Sequence, residues 1–448
     1  MPIFHELPAA PGGVPVKAWT ANLEANAAAQ LRALAGSGLL IGHVAAMPDV
    51  HAGRGATVGA VFATRDLLLP SAIGTDIGCG VLAQPLDVRA GDLPTALLRE
   101  LQAQIKWTIP LAHGEQGEAQ AWDGLADAGR YTSAVARIVR EAGPWQIGTL
   151  GGGNHFLELC RETEGEEGAG RVWLLVHSGS RGVGSAIAAH HIGIARTLAP
   201  RLGRPIVGDL APLPLDTQEG QDYLTDLLWA QAYAAENRRQ LQRAVLDLLA
   251  RLVGRQLRHE LVYDLTAGFD SVYNYAAREQ WFGEPLWVHR KGAAAAPVDQ
   301  PGIIPGSMAT SSYLVRGLGN AAALGSCSHG AGHRMSRGQA ARTITPEAFA
   351  HQMRGVVADT GRNLPDEAPQ AYKALDTVLA EQADLITPVG QLLPLLNVKG
   401  VPRRTRGADK GGRTPQPKDR TRDKNDPVQR RKLEQRRERG RPGLGRGR

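Results

Sequence analysis

This chain is poor in cysteine, in aromatic residues and in long apolar runs. Three cysteines in 448 residues, Cys79, Cys160 and Cys327, cannot frame a disulfide scaffold, so a reducing, cytoplasmic setting is expected. No stretch approaches the roughly 18 continuous apolar residues a membrane span needs, and the N-terminus lacks the basic start and apolar run of a signal peptide. There is no paired CxxC, which excludes a small zinc finger. There is also no Walker glycine loop and no Rossmann fingerprint, so any nucleotide must be held in another way. No fixed-period repeat is visible.

What the chain has in excess is glycine, 54 residues, about 12% against a typical 7% or so. Much of it flanks potential metal ligands. The stretches read Met47-Pro48-Asp49-Val50-His51, Gly74-Thr75-Asp76-Ile77-Gly78-Cys79-Gly80, Gly151-Gly152-Gly153-Asn154-His155-Phe156-Leu157-Glu158, Val176-His177-Ser178-Gly179-Ser180-Arg181, Val288-His289-Arg290-Lys291-Gly292 and Ser328-His329-Gly330-Ala331-Gly332. Glycine beside His or Cys lets the backbone approach a ligand closely and take turns other residues refuse. Six such stretches, spread over most of the chain, imply one polar site assembled from many loops.

Charge divides the chain in two. Val401–Arg448 holds 18 Lys+Arg and 6 Asp+Glu, a net +12, while the whole chain is +7 and the first 400 residues are −5. The basic balance belongs to the tail and by itself supports no nucleic-acid role for the body. The tail is rich in Arg, Pro and Gly and nearly free of large apolar residues. It is expected to be disordered, with a helical stretch at Asp426–Arg439, and reads equally as a flexible electrostatic arm for RNA or as a dispensable solvated tail. Residues 1–400 read as one folded domain. Helices are expected at Ala21–Ala35, Asp92–Ile105 and Leu375–Ile386. Leu241, Val245, Leu248, Leu249 and Leu252 mark a core-facing stripe in Asp222–Leu257, as one long helix or a hairpin of two. Strands are expected at Val58–Ala63, Val81–Pro85, Val172–Val176, Leu286–His289 and Ile303–Pro305.

Taken singly, each motif has a plain structural reading: a buried cysteine in a glycine turn, a strand-end histidine, a capping histidine. Together they offer a carboxylate, a thiol and several imidazoles, a mixed set suited to Zn, Mn or Co. The Ser178–Arg181 turn reads as an anion nest, and His289-Arg290-Lys291 as a solvated basic turn. His329 lies in an amide-rich loop, where a neutral imidazole is a competent nucleophile toward phosphorus. Pro305-Gly306-Ser307-Met308, with Ser312 downstream, could hold phosphate or base.

These stretches, in this order, resemble the RtcB family of tRNA-splicing and RNA-repair ligases, from about Gly42 to Gly400. The resemblance is carried by MPDVHAGRGATVGAV, AIGTDIGCG, GGGNHFLE, VHSGSRG, VHRKGA, IPGSM, SHGAG, EAPQAYK and the closing Val398-Lys399-Gly400. It implies a mixed α/β fold with a deep active-site cleft and a centre of two manganese ions, with Asp76, Cys79, His155 and His177 as ligands and Cys79 bridging. It implies that His329 takes GMP from GTP. Asn154, Glu158, Asn274, Pro305, Gly306, Ser307, Met308, Ser312, Gly330, Ala331, Gly332 and Lys399 would surround the guanylate, with Arg181 and Arg290 placed to meet phosphates. The implied reaction joins RNA 3′-phosphate or 2′,3′-cyclic phosphate ends to 5′-hydroxyl ends, by a monomer served by an archease-type activator.

The chain departs from the family in three places. Tyr273-Asn274 stands where the family usually has His-Asn, and that histidine is the fifth metal ligand. His333 stands where the family more often has Arg, with Arg334 next to it. The tail is extra. These features read as a divergent paralog acting on broken RNA. Two rival readings are a metal-dependent phosphohydrolase of cyclic phosphates and a non-catalytic RNA-binding protein that uses the tail.

Overall fold

Two twisted sheets lie face to face, each covered on its outer side by helices, in the computed structural model, which describes residues 2–126, 129–165, 170–258, 260–361 and 364–400. The tail beyond Gly400, with the helix expected at Asp426–Arg439, lies outside the described residues. The mixed α/β class expected from the sequence holds. No described helix is long and apolar enough to cross a membrane.

The first sheet runs in the order His5–Leu7, Val16–Ala18, Ile41–His51, Val58–Thr64, Glu284–Lys291, Asn274–Trp281. The second runs Phe269–Val272, Gly80–Arg89, Arg171–Ser178, Phe156–Gly165, Ile386–Lys399, Ser312–Gly317, Pro301–Ile304, with the short Val357–Ala358 against Ile386–Lys399. Side chains alternate across each strand, and the central strands are buried on both faces. Val81, Ala83, Trp173 and Leu175 of the second sheet meet Ala45, Met47, Val61 and Val288 of the first in a shared inner core. The alternate residues Leu82, Leu157, Leu159, Leu174 and Val176 pack outward on two helices, Thr95–Thr108 and Gln218–Leu257. Val44, Ala46 and Phe62 pack on the helix Ala25–Ala35.

The expected helix in Asp222–Leu257 is a single unbroken one, Gln218–Leu257. Between Gln221 and Val253 it contains neither Gly nor Pro to end it. Thr217 caps its start, its Oγ1 accepting from Gly220 N at 3.1 Å. The expected helix over Leu375–Ile386 is shorter, Leu375–Ala380. Ile386 instead opens a strand and pairs with Gly317, because tertiary pairing outweighs the local helical pattern. Residues 308–371 add a small satellite core around Phe349, Met353 and Leu364.

The same alternation places the polar residues. His177 shares the inward face with Trp173 and Leu175, and Glu158 shares it with Phe156 and Cys160. Phe156 stands opposite both His177 and Lys399, and Glu158 opposite Asn397. Three strand ends therefore deliver Glu158, His177, Asn397 and Lys399 to one wall between the sheets.

The long helix fixes that wall through two buried polar residues. Arg238, fully buried, donates to Asp270 (2.8 and 2.5 Å), to Gly78 O (2.7 Å) and to Ser178 O (2.9 Å). Asn237 donates to Thr149 O, Ser178 Oγ and Gly179 O at 3.0–3.2 Å. The turn before Cys79, the strand end after His177 and the strand before Tyr273 are thereby tied to one helix turn. Arg238→Met leaves Asp270 and two carbonyls without this donor. We expect a loss of about 3 kcal/mol, the low end for a broken buried pair because Asp270 keeps some exposure, whereas the surface change Arg239→Met should cost below about 1 kcal/mol. Urea unfolding midpoints check this, and equal losses in the two variants would contradict it.

Candidate metal and nucleotide site

A cavity of about 530 Å³ opens at the strand ends between the two sheets, within the size range of nucleotide and cofactor pockets. Cys79 and His177 line it, and with His155 behind them they form a buried cluster of three potential ligands. Cys79 Sγ lies 3.5 Å from His155 Nε2 and 3.3 Å from His177 Nε2. Sulfur and nitrogen donors around one tetrahedral ion would stand about 3.6 Å apart, so the three atoms already have the spacing of a coordination sphere. Asp76 Oδ2 sits 2.9 Å from His155 Nε2 and offers a fourth donor. His155 Nδ1 contacts Leu150 O at 2.9 Å, the kind of brace metal-bound histidines have. The donor set fits a divalent ion.

The electrostatics agree. Burial, reinforced by His155, drives the His177 pKa well below the usual imidazole value, so the ring is neutral and its lone pair is available. Burial works against the charge on Asp76, but His155, helped by Arg181 and Cys79, outweighs it and lowers the carboxyl pKa. Burial and Asp76 push the Cys79 thiol up in the metal-free chain. A coordinated thiol is deprotonated outright by the ion's charge.

His329 stands on the opposite side of the cavity. Its Nδ1 is 2.5 Å from Asp49 Oδ2, in a close charge contact rather than an aligned hydrogen bond, and its backbone N donates to the same oxygen at 3.2 Å. Two glycines make this approach possible. A Cβ on Gly332, at φ +71°, would come within 2.9 Å of Asp49, and one on Gly292, at φ +59°, would strike Val58 at 2.2 Å and lie 3.3 Å from His329 Nδ1. Burial disfavours the charge on His329, but the Asp49 carboxylate together with the Gly292 backbone offsets this and raises its pKa.

The remaining wall brings together the other expected residues. Asn154, Glu158, Asn274, Pro305–Met308, Ser312, Gly330–Gly332 and Lys399 all line the cavity. Glu158 accepts from Asn397 Nδ2 at 2.5 Å and from the Cys160 thiol at 3.0 Å. Burial raises its pKa to about 7 against those two donors. Lys399 Nζ donates to Glu367 Oε2 at 2.6 Å and to Asn154 O at 3.2 Å. Ser312 Oγ accepts from Gly306 N at 3.1 Å, and Thr310 Oγ1 from Ser307 N at 2.7 Å, which shapes the Pro305–Ser312 turn.

Several expectations need correction. His289-Arg290-Lys291 is not a solvated turn but a buried strand end. His289 stacks on Phe62 with ring centroids 4.9 Å apart, and burial lowers its pKa to about 4. Arg290 does not face the cavity; it is 1% exposed and engaged with Glu279 (2.5 Å) and Ser326 (2.9 Å). Arg181 lies behind His155, its Nη1 3.2 Å from His155 Nδ1, and does not line the cavity. The Ser178–Arg181 turn is no open nest. Ser178 and Ser180 are fully buried, and Ser178 Oγ donates to Leu150 O at 2.9 Å. His333 lines the cavity with its ring 4.2 Å from that of Tyr372, while Arg334 donates to Gln370 O at 2.8 Å. Asp49, Glu367, Asn397 and Lys291 had no assigned role, although Asp49, Glu367 and Lys291 lie inside or beside the recognised stretches.

The cavity thus holds a Cys/His ligand cluster and a histidine in contact with a carboxylate. Residues 30–400 match the family described as tRNA-splicing ligase RtcB. The chain is 36% identical over 406 residues to the RNA-splicing ligase RtcB of Escherichia coli K12, covering 86% of this chain and 97% of that one. It is 32% identical to that of Mycobacterium tuberculosis (79% and 96% covered) and 29% identical to the tRNA-splicing ligase RtcB of Pyrobaculum aerophilum (79% and 87% covered). The chain belongs to the RtcB family of RNA ligases.

The Asp49–His329 contact makes a prediction independent of turnover. In Asp49→Asn the carboxylate's charge is gone while burial remains, so the His329 titration midpoint should fall. Imidazole NMR resonances of histidine-labelled protein follow this directly. An unchanged midpoint would show that Asp49 does not control the ring.

Proposed function

We propose that this ligase is GTP-dependent and joins RNA 3′-phosphate or 2′,3′-cyclic phosphate ends to 5′-hydroxyl ends through a GMP adduct on His329. The observation that carries this reading is His329 itself. It is a partly buried imidazole held through Nδ1 by the buried Asp49 carboxylate, in the same cavity as two residues of the metal-ligand cluster. With Nδ1 turned to Asp49, Nε2 is the free nucleophile. It attacks the α-phosphorus of GTP, the bond to the β-phosphate oxygen breaks, and pyrophosphate leaves. Asp49 offsets the positive charge that develops on the imidazole. An oxygen of the RNA 3′-phosphate then displaces His329 from the GMP phosphorus. A cyclic phosphate must first be opened by water. Finally the 5′-hydroxyl attacks the capped 3′-phosphorus and GMP departs, leaving a phosphodiester. The cap is needed because a free phosphate monoester repels nucleophiles and has a poor leaving group.

Manganese, held by Asp76, Cys79, His155 and His177, would supply charge withdrawal from the phosphates. Glu158 and Lys399 would read the guanine edge. Lys399 can donate to O6, which adenine lacks, and the Glu158 carboxylate can accept from the N1–H, which adenine also lacks. Asn154, Asn274, the Pro305–Ser312 turn and the Gly330–Gly332 amides would hold the rest of the guanylate. A monomeric catalyst belongs to this reading by family resemblance. Three free buried cysteines suit a cytoplasmic setting. An archease-type activator belongs to the same reading by family resemblance.

The test is RNA joining with end-defined oligonucleotides. GTP should support joining and ATP should not, and Lys399→Ala should narrow that gap. His329→Ala should lower joining by on the order of 10⁴-fold or more, with metal content and unfolding midpoint retained. Joining by His329→Ala at the native rate, or joining without nucleotide, would sink the reading.

A further inference from the structure

Tyr273 is a buried side chain in the cavity wall with no part in the chemistry above. It is 1% exposed, and its position relative to the ligand turn is fixed. Its backbone N donates to Cys79 O at 2.7 Å, and Gly78 N donates to Asn274 O at 2.7 Å. Asn274 Nδ2 adds a bond to Asp76 O at 3.1 Å. The ring stands edge-on between the two sides of the site, with centroids 5.9 Å from His177 and 5.4 Å from His329. Its hydroxyl is buried and has no hydrogen-bond partner among the described residues. Leaving such a group unpaired costs about 1–3 kcal/mol, so this one is unusual next to a ligand cluster.

The two ligand imidazoles are also unequal. His155 is braced at Nδ1 by Leu150 O and flanked at Nε2 by Asp76. His177 Nδ1 is buried with no partner among the described residues. The well-supported donors therefore gather on the Asp76 side. A single ion among Cys79, His155 and His177 uses the whole three-donor cluster. A second ion sharing Cys79 would have to draw His177 away from the first and find further donors on the Tyr273 wall. That wall presents a neutral phenol, a weak ligand on a bulky ring.

We propose that this chain retains one metal ion, on Cys79, His155 and His177 with Asp76 beside them, and that the Tyr273 ring fills the ground a second ion would need. The proposal rests on the metal-dependent reading of the site and departs from the two ions that the family resemblance implies.

The full-length protein is saturated with Mn²⁺, desalted, and examined by elemental analysis and by electron paramagnetic resonance. The native chain should keep about one ion per chain and show the spectrum of an isolated ion. Tyr273→Phe should do the same, because the ring is retained. Tyr273→His exchanges the ring for a nitrogen donor, so its content should rise toward two, with the spectrum of an exchange-coupled pair. Two ions on the native chain, none, or a Tyr273→His variant that folds and stays at one would each overturn the proposal. Should Tyr273→His fail to fold, the native and Tyr273→Phe counts still decide, and loss of the ion in Tyr273→Phe would also overturn it. GMP labelling of the same preparations separates the two claims. One ion without an adduct defeats the functional reading alone, and two ions with an adduct defeat the ion count alone.

Discussion

A guanidinium buried in the middle of a long helix holds this site together. Arg238 binds Gly78 O, Ser178 O and the Asp270 carboxylate, so one side chain reaches the turn that carries Cys79, the end of the strand that carries His177 and the strand that leads to Tyr273. Placing a charge there is costly unless every donor is used. The compensation is geometric, because these three segments come from distant parts of the sequence and cannot slide independently. Asn237, one residue earlier, extends the same tie to Thr149 and Gly179. The apolar stripe of Leu241, Val245, Leu249 and Leu252 anchors the helix to the outer face of the second sheet. Hydrophobic packing thus sets the position from which the polar ties act.

Strand alternation then does the sorting. Glu158, His177, Asn397 and Lys399 reach one wall because each shares the inward parity of its strand, and the pairings Glu158 with Asn397 and Phe156 with Lys399 bring them into contact. The wall is electrostatically divided. Near Cys79 the imidazole of His177 is kept neutral by burial, the state a metal requires. Across the cavity Asp49 pulls His329 toward the charged form, which suits an imidazole that must carry positive charge when it bonds to phosphorus. Glu367 accepts from Lys399 within the wall, so Lys399 enters the cavity as a directed donor and not as a free cation.

The ligand residues were legible in the sequence because glycine-flanked His, Cys and Asp motifs are local signals, and Cys79, His155 and His177 do converge. The long helix was legible as apolar periodicity, and the strands around Val172–Val176 and Leu286–His289 as short apolar runs. What failed were judgements of exposure. Arg290 and Lys291 follow a histidine in a charged triplet that reads as a turn, but strand pairing with Val61 and Ala60 buries them, and Glu279 neutralises Arg290. Arg181 reads as a phosphate ligand beside serines and glycine, but the turn folds inward and sets it behind His155. The partners Asp49 and Glu367 could not be assigned, because each acts on a residue 280 or 32 positions away and no local pattern encodes that distance. The departure at Tyr273 was visible as a residue change, but its buried, unpaired hydroxyl was not.

The central claim is that His329 is the covalent acceptor, and site-resolved mass spectrometry tests it most directly. The native protein is incubated with GTP and Mn²⁺ in the absence of RNA, then digested under conditions that preserve phosphoramidates. The account predicts one GMP on the peptide containing His329, with release of pyrophosphate, and loss of that GMP when RNA bearing a 3′-phosphate is added. GMP on another residue, or no covalent nucleotide from a metal-loaded protein that still joins RNA, would contradict it.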